Sequence, residues 1–306
     1  MWEKKIEYKN EICSNGRYSE KKEIYEIFPN NRRKCAIRMK LEVLVSCMNK
    51  SEFSIIKDSN LNNVYTLIVN QCDKDKNIRL SEKHRVINTK TRGLSVSRNI
   101  ALSNALGDIC LICDDDECFI DDLEYKIVEA YKSLPDADII IFNMINWEKK
   151  LGDSPRLLSK LELMRVSSVQ ITFKKNAVKG KISFDPLLGA GTINGSGEEN
   201  KFLLDCYRQQ LKIYYAPINI GSVAEVAGKS TWFFGYNKDY FYKRGSMTRY
   251  IYGFPFAVVY AVYFALSKKS IYGKDSSMII ALGYTLKGIF NNNIAKQNKL
   301  KDCTGR

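Results

Sequence analysis

Four consecutive acidic residues, Asp114-Asp115-Asp116-Glu117, are the part of the sequence best suited to chemistry. They directly follow residues 109–113, an apolar run of the kind that forms a buried strand. Adjacent carboxylates repel one another, so the cluster must be balanced by a metal cation, by basic neighbours or by full solvation. In a parallel α/β sheet, ligands bind beyond the carboxyl ends of the strands, which is where these acids would lie. The cluster therefore indicates either a metal site or a solvated acidic turn.

Histidine, the usual general base and transition-metal ligand, occurs only once, as His84. Triads that need histidine and sites with several histidine ligands are all but excluded, so a carboxylate is the expected base. The nine cysteines are an odd number scattered along the chain, which is typical of reduced thiols in a cytoplasmic protein. Cys110 and Cys113 have CxxC spacing but lie along one predicted strand, so we interpret them as packing residues.

The composition favours a large globular domain with anionic partners. The 306 residues are 45% apolar and 11% aromatic, enough to bury one large domain with an appendage. Lys and Arg outnumber Asp and Glu by 48 to 34, giving a net charge of +14. This excess suits nucleoside diphosphates, nucleic acid or an acidic membrane surface. No apolar signal segment follows the first residues, so we expect a cytoplasmic location.

Apolar runs and helical patterns alternate from residue 41 onward. Such continuous apolar strands are typical of a mostly parallel sheet covered by helices on both faces. A further strand over residues 170–173 is expected at the edge of the sheet, and Gly93 opens a helix with Ser95 as its N-cap. The other predicted elements are strands at residues 41–47, 66–70, 84–88, 109–113 and 138–143 and helices at residues 52–59 and 121–133.

Three motifs stand in a fixed order along this predicted sheet. They are Gly93-Leu94-Ser95 with Arg98-Asn99, then Ala105-Leu106-Gly107-Asp108, then the strand that ends in the acids. This order resembles the inverting glycosyltransferases of family 2, which have the GT-A fold and include enzymes of bacterial surface-polysaccharide assembly. The family pattern has an alanine where this chain has Ser97 and a last aspartate where it has Glu117. The resemblance extends to the Glu-Asp motif of the family, at residues 197–204, and covers about residues 41–217.

The resemblance implies roles for the acids in binding a nucleotide-sugar donor. Asp116 and Asp114 would hold Mn²⁺ or Mg²⁺, which stabilises the diphosphate leaving group. No phosphate-binding G-x-G-x-x-G or G-x-x-x-x-G-K-[ST] motif is present, so the metal would have to hold the phosphates. Asp114 would alternatively accept a ribose hydroxyl, and Asp115 would face the sugar. Arg98 would orient the acids or the sugar-phosphate, or else form a structural ion pair between helix and sheet.

Polar residues at the ends of the first two predicted strands are further candidates for donor binding. The family usually places an aspartate that reads the base after the second strand, but this chain has Asn70 and Gln71, with Asp73 beyond. An amide both donates and accepts, so it can pair with a uracil edge. The departure from the family pattern leaves the nucleotide open, and a UDP-sugar is the favoured donor. Ser46, near the end of the first strand, is added as a fourth donor-binding candidate.

The general base implied by the resemblance is Glu199, with Glu198 as the neighbouring alternative. Glu199 aligns with the aspartate of the Glu-Asp pair of the family and would deprotonate the acceptor hydroxyl as it attacks the anomeric carbon. A single displacement of this kind inverts the stereochemistry. Both acids would also be favourable at a helix N-terminus without any catalytic role. The glycine-rich segments 189–192 and 195–197 before them permit close backbone approach to a sugar or form plain loops.

The C-terminal part changes in composition. Aromatic and basic residues interleave in 231–236 and 240–245, which suits an acceptor site or a cover over the donor, whereas no RNP, KH or OB signature supports nucleic-acid binding. The apolar stretches 251–266 and 278–290 are too short or too interrupted to span a bilayer. Bracketed by cations, they form either an interfacial hairpin on an anionic inner leaflet or helices packed on the domain.

The predicted organisation has three parts. Residues 1–38 are an extension before Met39, which is a candidate translation start. Residues 39–230 form the GT-A-like domain, with a donor half at 39–117 and an acceptor half at 118–230, and residues 231–306 form a helical appendage associated with the membrane. The predicted activity is metal-dependent, hexosyltransferase-like transfer to a saccharide, in particular a lipid-linked one. The alternatives are a non-catalytic sugar-nucleotide-binding or membrane-binding module with the same fold and a basic nucleic-acid-binding protein.

Overall fold

The computed structural model shows an α/β protein with a central sheet flanked by helices, as predicted. It divides into two compact units, which we call the sheet unit and the helical unit. The sheet unit comprises Met1–Arg92, Ser97–Ser183 and Asp205–Glu225, and the helical unit comprises Gly93–Val96, Phe184–Leu204 and Val226–Arg306. The residues that the structure describes are 10–13, 17–20, 39–51, 53–145, 150–192, 194–223, 235–292 and 294.

Neither unit is continuous in sequence. Residues 184–204 group with the C-terminal helices and not with the rest of the segment 39–230. The predicted extension, residues 1–38, lies outside the described residues except for the antiparallel pair β1 (Asn10–Cys13) and β2 (Arg17–Glu20). The aromatic residues predicted to line a site at 231–234 also lie outside the described residues.

The main sheet is built from ten strands in the described part of the chain. They are β3 (Leu41–Met48), β4 (Tyr65–Gln71), β5 (Lys76–Arg79), β6 (His84–Thr89), β7 (Ile109–Cys113), β8 (Glu117–Phe119), β9 (Ile139–Ile145), β10 (Arg156–Leu157), β11 (Ile171–Lys174) and β12 (Ile213–Val223). Their order across the sheet is β10-β12-β9-β11-β7-β3-β4-β6-β5, and β8 also pairs with β12. The neighbours from β7 to β6 run parallel, which brings the ends of β7, β3 and β4 to one edge.

Strand β11 lies inside the sheet, so the predicted edge position of residues 170–173 is wrong. It pairs antiparallel with β7 on one side and with β9 on the other, and Thr172 faces Leu111 and Ile140 in the two registers. Ile171, Thr172 and Phe173 are all fully buried, as a strand between two partners requires. The sheet is therefore mixed, with its parallel part confined to β7-β3-β4-β6 and the pair β9-β12.

Strand β12 is an element that the sequence pattern did not predict. It runs parallel to β9 but with register shifts between Tyr215 and Asn219 and between Asn219 and Ser222. Pro217 lies in the first of these intervals, and proline has no N–H to contribute to a ladder. A proline and several polar residues within one segment hide a strand from pattern-based prediction.

Nine α-helices complete the described structure. They are α1 (Ile55–Asp58), α2 (Leu94–Asn104), α3 (Leu123–Ser133), α4 (Lys175–Val178), α5 (Glu198–Arg208), α6 (Lys238–Tyr252), α7 (Phe254–Ser267), α8 (Lys269–Tyr272) and α9 (Met278–Asn291), with short 3₁₀ turns at Glu162–Arg165 and Ser168–Gln170. Ser95 lies inside α2 and donates a 2.7 Å hydrogen bond from Oγ to the Leu188 carbonyl oxygen, so it is not the predicted N-cap. The described helices include none that is both long and apolar enough to cross a membrane.

Cysteines form part of the buried core of the sheet unit. Cys110 and Cys113 are fully buried in β7, and burial raises the pKa of both thiols. Six cysteines are free thiols, and all of them except Cys72 are buried: Cys47, Cys72, Cys110, Cys113, Cys118 and Cys206. The interpretation of the CxxC spacing as packing is therefore confirmed.

In the helical unit, α6 and α9 touch backbone to backbone. A Cβ atom placed on Gly245 would lie 2.0 Å from the Thr285 carbonyl oxygen, and one on Gly288 would lie 2.0 Å from the Tyr242 carbonyl oxygen. Real Cβ atoms do not approach oxygen so closely, so only glycine fits at either position. The two glycines thus set the distance between the helices.

We expect Gly288→Ala to destabilise the protein by about 3 kcal/mol, because the new methyl group forces α6 and α9 apart. Gly283 provides the matched control, since it lies in the same helix and a methyl group there would meet no neighbouring atom within 4 Å. Gly283→Ala should stabilise the helix by about 0.5–1 kcal/mol. Chemical denaturation followed by circular dichroism measures both changes. Equal effects of the two substitutions would show that the close approach of the helices is not what limits stability.

Candidate active site

The acid cluster lies at the carboxyl end of β7, in the turn that leads into β8. Because β7 runs parallel to β3 and β3 to β4, the ends of these strands meet there. The four acids do not share one environment. Asp114 is half-buried, Asp115 and Asp116 are exposed, and Glu117 is fully buried.

Asp114 is held by the buried guanidinium of Arg98. Arg98 Nη2 donates to Asp114 Oδ1 at 2.9 Å and to Oδ2 at 3.0 Å, and the Arg98 side chain is only 3% exposed. Ser168 Oγ lies 3.5 Å from Asp114 Oδ2. A buried arginine that reaches both oxygens of one carboxylate fixes its orientation more firmly than an exposed pair would. The pair joins α2 to the end of β7, so it is compatible both with orientation of the acid cluster and with a structural ion pair between helix and sheet.

Asp115 is paired with Lys50. Lys50 Nζ lies 2.9 Å from Asp115 Oδ2, and the side chains are 42% and 36% exposed. The hydrogen bond and the charge of Asp115 raise the pKa of the Lys50 ammonium, which is therefore charged at neutral pH. An exposed pair of this kind contributes about 1 kcal/mol or less, so a ligand can replace either partner at little cost.

Glu117 points into the protein instead of toward solvent. Its Oε1 accepts a 3.1 Å hydrogen bond from the Asp114 backbone N–H. Burial, together with the nearby negative charge of Asp114, raises the pKa of the Glu117 carboxyl well above its usual range. Repulsion within the cluster is thus reduced by Arg98 at Asp114 and by Lys50 at Asp115. It is reduced further because burial disfavours the charged form of Glu117.

Asn70 anchors the loop that carries Lys50. Asn70 Oδ1 accepts from the Lys50 backbone N–H at 3.0 Å, and Asn70 Nδ2 donates to the Lys50 carbonyl oxygen at 2.8 Å. Asn70 Nδ2 also donates to Asn88 Oδ1 at 2.8 Å. The Asn70 side chain is buried, and these bonds use both of its amide atoms. The predicted base contact by Asn70 would have to replace some of these bonds, which in the structure hold the backbone of Lys50.

The other predicted donor-binding residues differ in accessibility. Ser46 is buried and its Oγ accepts a 3.0 Å hydrogen bond from Ser97, which ties β3 to α2. Gln71 is buried at the end of β4. The Asp73 side chain is 94% exposed and pairs with Arg92 at 2.7 Å. In this structure Asp73 alone of the three is open to a ligand.

A metal at this site would be held mainly by the ligand that it accompanies. Among the described residues, no group of three or more His, Cys, Asp or Glu side chains converges as a metal site. Asp114 pairs with Arg98, and Asp116 is an exposed residue at the strand end. Mg²⁺ and Mn²⁺ accept one protein carboxylate together with phosphate oxygens and water. The donor set therefore fits such an ion through Asp116.

In the helical unit, Glu198 and Glu199 form the first turn of α5. Glu198 is buried, and a Cβ atom on Gly189 would lie only 3.2 Å from its Cδ, so its carboxyl packs on the Gly189 backbone. Glu199 is half-buried. Phe202, one turn further along α5, stacks on Phe184 with 4.3 Å between ring centroids, which fixes this helix start. The better accessibility of Glu199 favours it over Glu198 for contact with a substrate.

Two residues of the candidate site were missed from the sequence, Lys50 and Asn88. Lys50 follows the end of β3, and Asn88 lies within β6 beside Asn70. A basic residue just beyond the carboxyl end of a parallel strand is a signal that could have identified Lys50. Asn88 gave no such signal, because its pairing with Asn70 depends on the order of the strands.

Comparisons with known proteins agree with this architecture. Residues 44–186 match the family model described as Glycosyl transferase family 2. Curated proteins gave no match. The crystal structure of S. aureus TarS 1–349 is similar with 16% identity and a TM-score of 0.54, covering 82% of this chain and 81% of that chain. The same protein in complex with UDP gives 15% identity and a TM-score of 0.51, covering 87% and 92%.

The likeness to TarS is one of fold, because the sequences are only 15–16% identical. A third structure, TarS 1–349 in complex with UDP-GlcNAc, has a TM-score of 0.50 and 16% identity, over 86% of this chain and 92% of that chain. The family match spans the segment from β3 to beyond β11, which contains the acid cluster, Arg98 and Lys50. The chain therefore contains a region, residues 44–186, that matches glycosyl transferase family 2, within a GT-A-like α/β fold.

Proposed function

We propose that this protein is a metal-dependent, inverting glycosyltransferase of the hexosyltransferase type. It would transfer a sugar from a nucleoside diphosphate to a hydroxyl group of a saccharide acceptor. The observation that carries the proposal is the acid cluster beyond β7, with Arg98 fixing Asp114 and Lys50 beside Asp115, inside the segment that matches the family. A similar fold that contains UDP and UDP-GlcNAc in TarS supports a UDP-sugar as the donor.

On the donor side, Asp116 is the proposed ligand for Mn²⁺ or Mg²⁺. When bound, such an ion supplies positive charge to the diphosphate, which becomes more negative as the anomeric bond breaks. Arg98 keeps Asp114 in a fixed orientation, where it can accept a ribose hydroxyl hydrogen bond. We do not propose Asp114 as the main metal ligand, because both of its carboxylate oxygens already accept from Arg98.

Lys50 is the proposed protein cation for the donor phosphates. Its backbone is clamped by Asn70 while its ammonium pairs with an exposed carboxylate, so the ammonium can exchange Asp115 for a phosphate oxygen. That exchange would release Asp115 to bind a hydroxyl of the sugar. This single exchange at Lys50 would position both the diphosphate leaving group and the transferred sugar.

On the acceptor side, Glu199 is the proposed general base. Its carboxylate would take the proton of the acceptor hydroxyl as that oxygen attacks the anomeric carbon. One displacement on the face opposite the leaving nucleotide inverts the configuration. We further propose a lipid-linked saccharide of surface-polysaccharide assembly as the acceptor and a cytoplasmic location at the membrane periphery.

The donor is tested by thermal unfolding of the full chain with UDP-, GDP- and dTDP-sugars, with and without Mn²⁺. We expect a UDP-sugar with Mn²⁺ at 100 times its Kd to raise Tm by about 5 °C, because the ligand binds only the folded state. No shift with any donor would favour the membrane-binding module, and salt-sensitive nucleic-acid binding would favour the interpretation as a basic nucleic-acid-binding protein.

The same thermal-unfolding assay, run with UDP and with uridine, separates the contribution of Lys50 to binding from that of the rest of the donor site. Lys50→Gln should weaken UDP binding about tenfold and leave uridine binding unchanged, because uridine lacks the phosphates. Lys57→Gln removes an exposed lysine of the nearby helix α1 and serves as the control. Equal losses for uridine and UDP would mean that Lys50 supports the base pocket and does not bind phosphate.

A further inference from the structure

Helix α7 is apolar on both of its faces. Its inner face, with Ala257, Ala261 and Phe264, is buried against neighbouring helices of the helical unit. Its outer face presents Val259, Val262, Tyr263 and Leu266, which are 69%, 43%, 50% and 60% exposed. These positions follow the spacing i, i+3, i+4, i+7 and form one continuous stripe. A surface helix normally shows polar residues on its outer side, so this face requires a partner.

Further exposed apolar residues follow the end of α7 in the sequence. Ile271 in α8 is 50% exposed, and Met278 and Ile279 at the start of α9 are 38% and 80% exposed. We call the outer face of α7 together with these three residues the apolar patch. Lys269 and Lys274, both exposed, stand within the same turn region. The apolar patch thus has cations beside its apolar side chains.

The charge of this region indicates what the partner is. Residues 235–292 contain eight basic residues but only two acidic ones, Asp239 and Asp275. Two copies of the chain that met through this region would bring like charges together, which opposes self-association. An anionic lipid surface instead offers hydrocarbon to the stripe and negative headgroups to the lysines.

The length of α7 determines how it would lie. Its 14 residues extend about 21 Å, whereas a span requires about 20 residues. A helix of this length with one face packed on the protein suits the plane of the bilayer surface and not the direction across it.

We infer that the apolar patch is a membrane-docking surface for an anionic bilayer, with α7 lying in the plane of the interface. This deepens the proposed function by naming the surface through which the protein would reach a lipid-linked acceptor. The two sequence-based interpretations of this region then both apply, since the inner faces of the helices pack on the protein and the outer face of α7 meets lipid.

The inference is tested by sedimentation of the full chain with vesicles of phosphatidylcholine alone or with phosphatidylglycerol added. We expect binding to the anionic vesicles only. Leu266→Glu and Val259→Glu should each reduce the bound fraction about tenfold, because a charge replaces an apolar side chain that would enter the bilayer. Lys269→Gln with Lys274→Gln, or high salt, should reduce it severalfold.

Leu161→Glu provides the matched control, because Leu161 in the sheet unit is 62% exposed and Leu266 is 60% exposed. We expect this variant to bind vesicles like the wild type, and thermal melts should show all variants folded. The inference is overturned if the wild type ignores anionic vesicles or if Leu266→Glu binds as well as Leu161→Glu. It is also overturned if analytical ultracentrifugation shows a dimer that Leu266→Glu dissociates, since the patch would then join two copies.

The donor titration distinguishes failure of this inference from failure of the proposed function. Stabilisation by a UDP-sugar without vesicle binding would contradict the membrane-docking surface and would still support the proposed glycosyltransferase activity. Vesicle binding without stabilisation by any donor would support a membrane-binding module and would contradict the proposed sugar transfer.

Discussion

Replacing Glu199 with glutamine is expected to lower kcat about 10³-fold and to leave donor affinity unchanged. Glutamine keeps the size of the side chain but cannot take the proton of the acceptor hydroxyl, so only the step that needs a base is lost. Release of UDP in the presence of acceptor measures kcat, and calorimetric titration of the UDP-sugar measures affinity. The pH profile of kcat adds a second readout. The wild-type rate should fall on the acidic side as a carboxylate is protonated, whereas the rate of the variant should not show this fall.

Glu198→Gln is the control for this prediction. Glu198 is buried against the Gly189 backbone, so its substitution should lower the melting temperature more than it lowers kcat. If Glu198→Gln abolished turnover while Glu199→Gln retained it, the roles of the two acids would be exchanged. Full activity in both variants would remove the first turn of α5 from the catalytic machinery.

Replacing Asp116 with alanine is expected to remove the gain in UDP-sugar affinity that Mn²⁺ provides, about 100-fold. A hard cation with a single protein carboxylate loses its anchor when that carboxylate is deleted. Titrations of the UDP-sugar in Mn²⁺ and in EDTA measure the gain for each protein. The variant should bind equally weakly in both, at the level that the wild type shows in EDTA.

Asp122→Ala is the matched control for Asp116, because Asp122 is an exposed acid a few residues further along the chain. It should keep the full response to Mn²⁺. An Asp116→Ala protein that still gained affinity from Mn²⁺ would show that another group anchors the ion, and Asp114→Asn would then be tested. That second variant should also lose stability, since Arg98 would remain buried with a neutral partner.

The central part of the fold could be predicted because its strands carry their own signal. Strand β7 has the predicted bounds, and β3, β4 and β6 differ from the prediction by one residue at their ends. β3, β4 and β7 are largely apolar runs that are buried on both faces, and such a run is visible without knowledge of its neighbours. The order of the motifs around β7 likewise lies in the sequence, which is why the family resemblance was visible.

The interior position of β11 and the existence of β12 could not be predicted in this way. A short segment with only two apolar residues, Ile171 and Phe173, is equally compatible with an edge or a central strand, and the antiparallel insertion of β11 depends on the strands that pair with it. In β12, Pro217 and the bulges around Asn219 break the alternation that a pattern search needs. Long-range pairing decides both cases, and a local pattern contains no information about it.

The candidate site was only partly predictable for the same reason. The acids could be recognised as a cluster, but their different environments depend on tertiary contacts with Arg98, Lys50 and the core. Asn70 was expected to read a base because it follows the second strand of the sheet. Its amide is instead used by the backbone of Lys50, a partner twenty residues away that no spacing rule identifies.

The place of β12 in the sheet has a consequence for synthesis on the ribosome. Strand β9 is buried along its whole length in the finished protein, yet its outer partner begins at Ile213, 68 residues after Ile145. At translation rates of about 5–20 residues per second, roughly 3–14 s pass between the two. During that time the nascent chain displays an apolar strand edge to other chains and to chaperones. The interval in which this protein is most liable to aggregate is therefore set by when β12 emerges, whatever the stability of the completed sheet.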